Sequence, residues 1–141
     1  MADIVTAIVG LLKADADIAA LVGDRVFGGE LPADEARHMP RQAIVIQPSG
    51  GAPFQPRASL RAEAQRLDLI CYGATPGEAM ELRNLGAHAF KRVRRQTAAG
   101  VLIHWVNSAG GYMAGRDRDG QWPYAFQSFQ SLFSLSLDEV A

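Results

Sequence analysis

The stretch "RLDLICYGATPGEAMELRNL", residues 66–85, constrains the fold more than any other part of the chain. Leu67, Leu69 and Cys71 alternate with Arg66, Asp68, Ile70 and Tyr72, the period of two that sorts side chains onto the two faces of a β-strand. From Ala79 the period changes: Ala79, Leu82, Leu85, Gly86, Ala89, Phe90 and Val93 form one helical stripe, and the spacing predicts a helix from about Pro76 to Arg95. Thr75 stands three residues before Glu78 with Pro76 between them, a capping box with proline at the first helical position. In that motif the Thr75 hydroxyl accepts from the Glu78 N–H, and the Glu78 carboxylate accepts from the Thr75 N–H. A strand flows directly into a long helix, and that helix must lie across the sheet.

Glycines at 73 and 77 beside a helix N-terminus also raise the question of a phosphate cradle. The capping box argues against it, because the donors a phosphate would need are already used. The turn carries Glu78, which repels an anion, and lacks the Gly-Lys-Ser/Thr of a Walker loop. Thr75, Pro76 and Glu78 are therefore read as a structural helix cap.

The remaining elements follow from the same two periods. Asp3 can cap a helix whose Ile4, Ile8, Leu11 and Leu12 share a face, and a second short turn ends at Gly23. A brief strand is expected around Val26 and Phe27, and another, opened by Pro40, at the apolar run Ala43 to Ile46. Pro48 to about residue 60 reads as a long loop. "VLIHWVN" sets Val101, Ile103 and Trp105 against Leu102, His104 and Val106. Residues 108–123 read as a Gly-rich connection. The last strand places Phe129, Phe133, Leu135 and Leu137 on one face, opposite Ser128, Gln130, Ser134 and Ser136. The expected class is α+β: a mainly antiparallel sheet of about four or five strands, with the long helix and the N-terminal helix on one face. The 141 residues suit a single domain, which at this size buries about two-thirds of its unfolded surface.

Charge and chemistry narrow the function. The net charge of −1 argues against a protein whose main task is gripping nucleic acid. Cys71 is the only cysteine, which excludes an intramolecular disulfide and a multi-cysteine zinc site. No apolar run approaches the roughly 20 residues a membrane helix needs, and no secretory signal stands at the start, so a soluble cytoplasmic protein is expected. His38, His88 and His104 have no second ligand at metal spacing, and no Gly-x-Ser-x-Gly elbow marks a nucleophile. "GRDRDGQW", with acids at 117 and 119, reads as a charged hairpin tip rather than a calcium loop, since the position six after Gly120, where such a loop has Glu, is Phe126. No catalytic residue, cofactor or metal is expected. The basic "KRVRR", with Lys91, Arg92, Arg94 and Arg95, falls in the predicted last helical turn, where cations complement the helix dipole; nucleic-acid contact is the alternative.

Taken together, "IAALVGDRVFGGELP", "PRQAIVIQPSGG", "RLDLICYGATPGEAMELRNL" and "RDGQWPYAFQSFQSLFSL" resemble, in order and spacing, the tail completion family of long-tailed bacteriophages and gene transfer agents. The similarity runs nearly end to end, and its most specific piece is Asp68 through Leu82. The resemblance implies a non-enzymatic virion protein, made in the host cytoplasm, that sits at the neck. There it caps the tail tube as a ring, usually of six subunits, and joins it to the head-side connector. Implied partners are other copies of the chain, the tube protein, the connector, and DNA only in transit. In such a ring Phe54, Arg57, Tyr112, Arg116, Asp117 and Trp122 are candidate contacts. Arg57, Arg61, Lys91, Arg92, Arg94 and Arg95 are candidate channel-facing cations. A head-side stopper or adaptor ring is the alternative within the structural class, and a small-ligand-binding domain or enzyme the alternative outside it.

Overall fold

In a computed structural model, residues 3–50 and 62–135 are described. Ten elements follow in order: α1 (Ile4–Lys13), α2 (Ala16–Val22), β1 (Val26–Gly28), α3 (Ala33–Ala36), β2 (Ala43–Pro48), β3 (Ala62–Tyr72), α4 (Pro76–Lys91), β4 (Gln96–Ala98), β5 (Val101–Arg116) and β6 (Pro123–Leu135). The strands form one six-stranded sheet of order β1-β2-β3-β6-β5-β4. Only β1 and β2 run parallel; every other neighbouring pair is antiparallel. The expected four or five strands are thus corrected to six. The extra strand, β4, has three residues and no apolar alternation, and its only ladder is to β5.

Caps start the helices. Asp3 accepts from the Thr6 N–H at 2.8 Å, and Asp15 accepts from the Asp17 and Ile18 N–H groups at 3.0 and 3.1 Å. Helices α1, α2 and α4 pack on one another and on one face of the sheet. Between them and that face lies the core, built from Ile8, Leu12, Ile18, Ile44, Ile46, Leu67, Leu69, Leu82, Phe90 and Ile103, with Phe90 edge-on to Phe129 at 4.8 Å between ring centres. Gly86 lets α4 approach closely, since a Cβ there would stand 2.8 Å from Leu69 Cδ2.

Four local readings change. Helix α4 stops at Lys91 rather than Arg95: the Arg92 and Val93 N–H groups bond three residues back, to Ala89 and Phe90, and tighten the end while Val93 enters the core. β5 keeps its ladder to β6 as far as Arg116, so most of 108–123 is a long hairpin whose turn is confined to 117–122. A bulge at His104 reverses the facing of β5, and Val106 rather than Trp105 joins Val101 and Ile103 in the core. One extra residue moves every later side chain to the other face. β2, similarly, begins at Ala43 and not at Pro40.

On β6, Phe129 and Phe133 face the helices and Leu135 packs against their cluster; Leu137 lies outside the described residues. Ser131 shares their face and is fully buried, its hydroxyl donating to the Gln65 carbonyl at 2.9 Å. On the opposite face Ser128 donates to Asp68 at 2.7 Å, and Ser134 pairs with the His104 Nε2 at 2.9 Å.

Candidate functional site

The turn between β3 and α4 is consumed by its own hydrogen bonds. Thr75 Oγ1 accepts from the Glu78 N–H at 3.2 Å, with Pro76 as the first helical residue. The Glu78 carboxylate accepts from the Ala74 N–H at 3.0 Å, one residue earlier than the Thr75 N–H that the motif predicts. The Gly73 N–H donates to the Pro123 carbonyl at 3.2 Å. Gly73 is needed for space: a Cβ there would lie 2.6 Å from the Ala79 nitrogen and 2.7 Å from the Glu78 Cβ. The glycine admits the first turn of α4 against the end of β3, and an acid occupies the turn where a phosphate would sit.

Two further surfaces carry exposed candidate residues, and the first is the outer half of the β5–β6 hairpin. From Ser108 onward β5 is largely exposed, with Tyr112 and Met113 at 53% and 54% exposure. The Arg83 guanidinium lies 4.7 Å from the centre of the Tyr112 ring. Arg83 also donates to Gln127 Oε1 at 2.7 Å, and Gln127 in turn donates to Ser108 Oγ and the Gly110 carbonyl at 2.9 and 3.0 Å. This chain of bonds ties the exposed strand to α4. At the hairpin tip, Asp117 Oδ1 accepts from the Asp119 and Gly120 N–H groups, and Arg116 donates to the Gln121 carbonyl. Trp122 folds back edge-on to Tyr72, 6.1 Å between ring centres, with Gly120 close against its indole. Burial, then the Asp117 and Tyr124 charges, push the Tyr72 phenol above its ordinary range.

The second surface is the cationic end of α4. Lys91, Arg94 and Arg95 are exposed and line one side of an open cavity of about 540 Å³, with His104, Trp105 and Asn107 of β5 opposite. Arg94 donates to the Lys91 and Val93 carbonyls at 2.8 and 3.0 Å, closing the helix end, while Arg92 is held by the Asp15 carboxylate. Burial, with the Arg95 charge second, holds His104 below the ordinary histidine range.

The candidate contacts therefore divide. Tyr112, Arg116, Asp117 and Trp122 belong to one hairpin, whereas Lys91 ends α4 and Arg92, Arg94 and Arg95 lie in the link from α4 to β4. Phe54, Arg57 and Arg61, with most of the loop expected at 48–60, lie outside the described residues. Arg83 was not singled out from the sequence. Its signal was a cation on the flank of an apolar helical stripe, facing a glutamine at a core-side position of β6. Among the described residues no group of three or more His, Cys, Asp or Glu could hold a metal ion, and no helix is long and apolar enough to cross a membrane. Cys71 is buried, and burial pushes its thiol far above the reactive range.

The family described as Tail completion protein gp17 matches residues 6–133. A solved chain from a structure titled "Virion of native gene transfer agent (GTA) particle" superimposes with a TM-score of 0.66 at 15% identity, covering 90% of this chain and 91% of that one. The gp17 protein of bacteriophage SPP1 superimposes with a TM-score of 0.50 at 16% identity, covering 92% of this chain and 86% of its own. At such identities the two structures speak for the fold. No curated protein matches in sequence.

Proposed function

The chain belongs to the tail completion protein gp17 family, structural proteins of phage tails rather than enzymes, and from that premise we propose that it closes the head-proximal end of a tail tube as a six-membered ring. The ring joins the tube to the head-side connector at the neck of a phage or gene transfer agent particle, after assembly in the host cytoplasm. The observation that carries this reading is the family match from residue 6 to residue 133, which takes in all six strands but the last two residues of β6, and the helices but the first two residues of α1.

The architecture suits the role. A ring subunit needs two unlike surfaces that meet head to tail, and an open sheet supplies two unlike edges. The hairpin carrying Tyr112, Arg116, Asp117 and Trp122 is the arm that contacts a neighbouring subunit, the tube or the connector. DNA passes through without being held, which is compatible with a subunit of net charge −1, because strong cation rings retain phosphate.

Deleting the gene from the producing strain and imaging the particles tests the proposal. Overlong tails, or finished tails lying free beside DNA-filled heads, are expected. Normal particles would refute it, and tails of normal length beside emptied heads would move the role to a head-side stopper.

A further inference from the structure

The two ends of the sheet differ in kind. At one end, β4 covers β5 only at Val101, Leu102 and Ile103; from His104 to Arg116 the ladder of β5 is to β6 alone among the described residues. That outer edge is a row of main-chain donors and acceptors. Positive charge lies beside its start, where Lys91, Arg94 and Arg95 line a cavity with His104 to Asn107, and from Arg83 to Arg116 the sequence holds not one Asp or Glu. Arg92 is neutralised by Asp15 and Arg94 closes the helix end, which leaves Lys91 and Arg95 without a carboxylate partner among the described residues. They stand over the cavity whose far side is His104, Trp105 and Asn107 at the start of the open edge.

At the other end stands β1, and here the sign reverses. Asp24 and Glu30 flank the strand and are exposed, with no ion-pair partner among the described residues. Asp34 is exposed as well and pairs with Arg37 at 3.4 Å. The nearby Arg25 is turned inward, donating to the Gln42 and Leu21 carbonyls.

We propose that the cationic open edge of β5, with Lys91 and Arg95 at the end of α4, docks on the acidic β1 edge of a second copy of this chain, around Asp24 and Glu30. This rests on the ring reading and specifies its interface. Opposite edges of one sheet carry opposite charge, so each copy offers one of each and the contact repeats head to tail. Duplex DNA is the competing occupant of the cationic edge. The exposed main chain of β5 favours a protein, because phosphate has no use for a strand's alternating donors and acceptors.

The test uses the full chain and two charge reversals on exposed side chains, Lys91→Glu with Arg95→Glu, and Asp24→Lys with Glu30→Lys, with circular dichroism melting to verify the fold. Native mass spectrometry of each, at low salt, is expected to show ring formation weakened about tenfold or more relative to the wild type. Their equimolar mixture is expected to recover rings, and only even-numbered ones with the two variants in equal number, because each variant alone presents like charge at both edges. Should the purified wild type stay monomeric, the same comparison is made by complementing the deletion strain with each variant and with both. A wild-type ring indifferent to both reversals, or a mixture that recovers nothing, overturns this interface and leaves the ring reading standing. A wild type that assembles by neither route overturns both. Rings that survive the Lys91 and Arg95 reversal while retention of duplex DNA in a gel-shift assay is lost would give the cationic edge to nucleic acid instead.

Discussion

Replacing Gly73 by alanine tests the account of the β3–α4 junction at its tightest point. The added Cβ would lie 2.6 Å from the Ala79 nitrogen, 2.7 Å from the Glu78 Cβ and 2.9 Å from the Glu78 carbonyl carbon. Two of those three atoms are main chain in the first turn of α4, so no rotamer change relieves the contact. Ordinary contact requires the turn to recede by the better part of an ångström. Three hydrogen bonds span the gap that would open: Glu78 N–H to Thr75 at 3.2 Å, Ala74 N–H to Glu78 at 3.0 Å and Gly73 N–H to Pro123 at 3.2 Å. Overpacking of this kind costs roughly 1–3 kcal/mol, and loss of the cap adds about 1 kcal/mol. The expected total is about 2–4 kcal/mol, which for a domain of this size lowers Tm by roughly 6–12 °C. Thermal melts of wild type, Gly73→Ala, Thr75→Ala and the double variant supply the measurement. The double variant should melt less than additively below the wild type, because both changes break the same cap. A Gly73→Ala protein melting within about 1 °C of the wild type would refute the packing argument. If it also lost binding to inorganic phosphate, the phosphate-cradle reading of the turn would return.

Thr75→Ala by itself should lower stability by about 1 kcal/mol, and an unchanged denaturant midpoint would mean that α4 does not begin there. Phe90→Ala removes a buried ring packed edge-on against Phe129 and should cost about 3–5 kcal/mol in urea unfolding. Glu35 is buried and bonded through both oxygens to Arg41 at 2.7 and 2.8 Å, which, with Arg41 as the main cause, holds its carboxyl below the ordinary range. Its lowered value contributes stability above the unfolded carboxylate pKa, and that stability is lost as pH falls through the folded one. Acid unfolding curves of Glu35→Gln should therefore be flatter than the wild type's below about pH 4.5. The His104 imidazole should titrate below the ordinary histidine range by NMR; a normal or raised midpoint would contradict its packing against Ser134 and Arg95.

Strand, helix and family were legible where local rules act without competition. The alternation of Leu67, Leu69 and Cys71 and the stripe from Ala79 to Phe90 specify strand and helix because each period buries one face whatever the partner. The order of such units along the chain sufficed for the family resemblance, which the match over residues 6–133 established. What the sequence left open depends on partners distant in the chain. β4 is a strand because β5 runs beside it, and β5 reaches Arg116 across an irregular stretch at 109–111 because β6 supplies its ladder up to Ser108 and again from Tyr112 onward. The bulge at His104 exchanges Val106 for Trp105 in the core, an outcome set by register against β6. Helix α4 ends early because Val93 is drawn into the core before the chain turns toward β4. The opposite charges of the two sheet edges were present in the sequence from the start, as acids at 24 and 30 and cations at 91 and 95. Only the strand order β1-β2-β3-β6-β5-β4 sets them at opposite ends of one sheet, because edge position is a property of pairing and not of any residue's own preference.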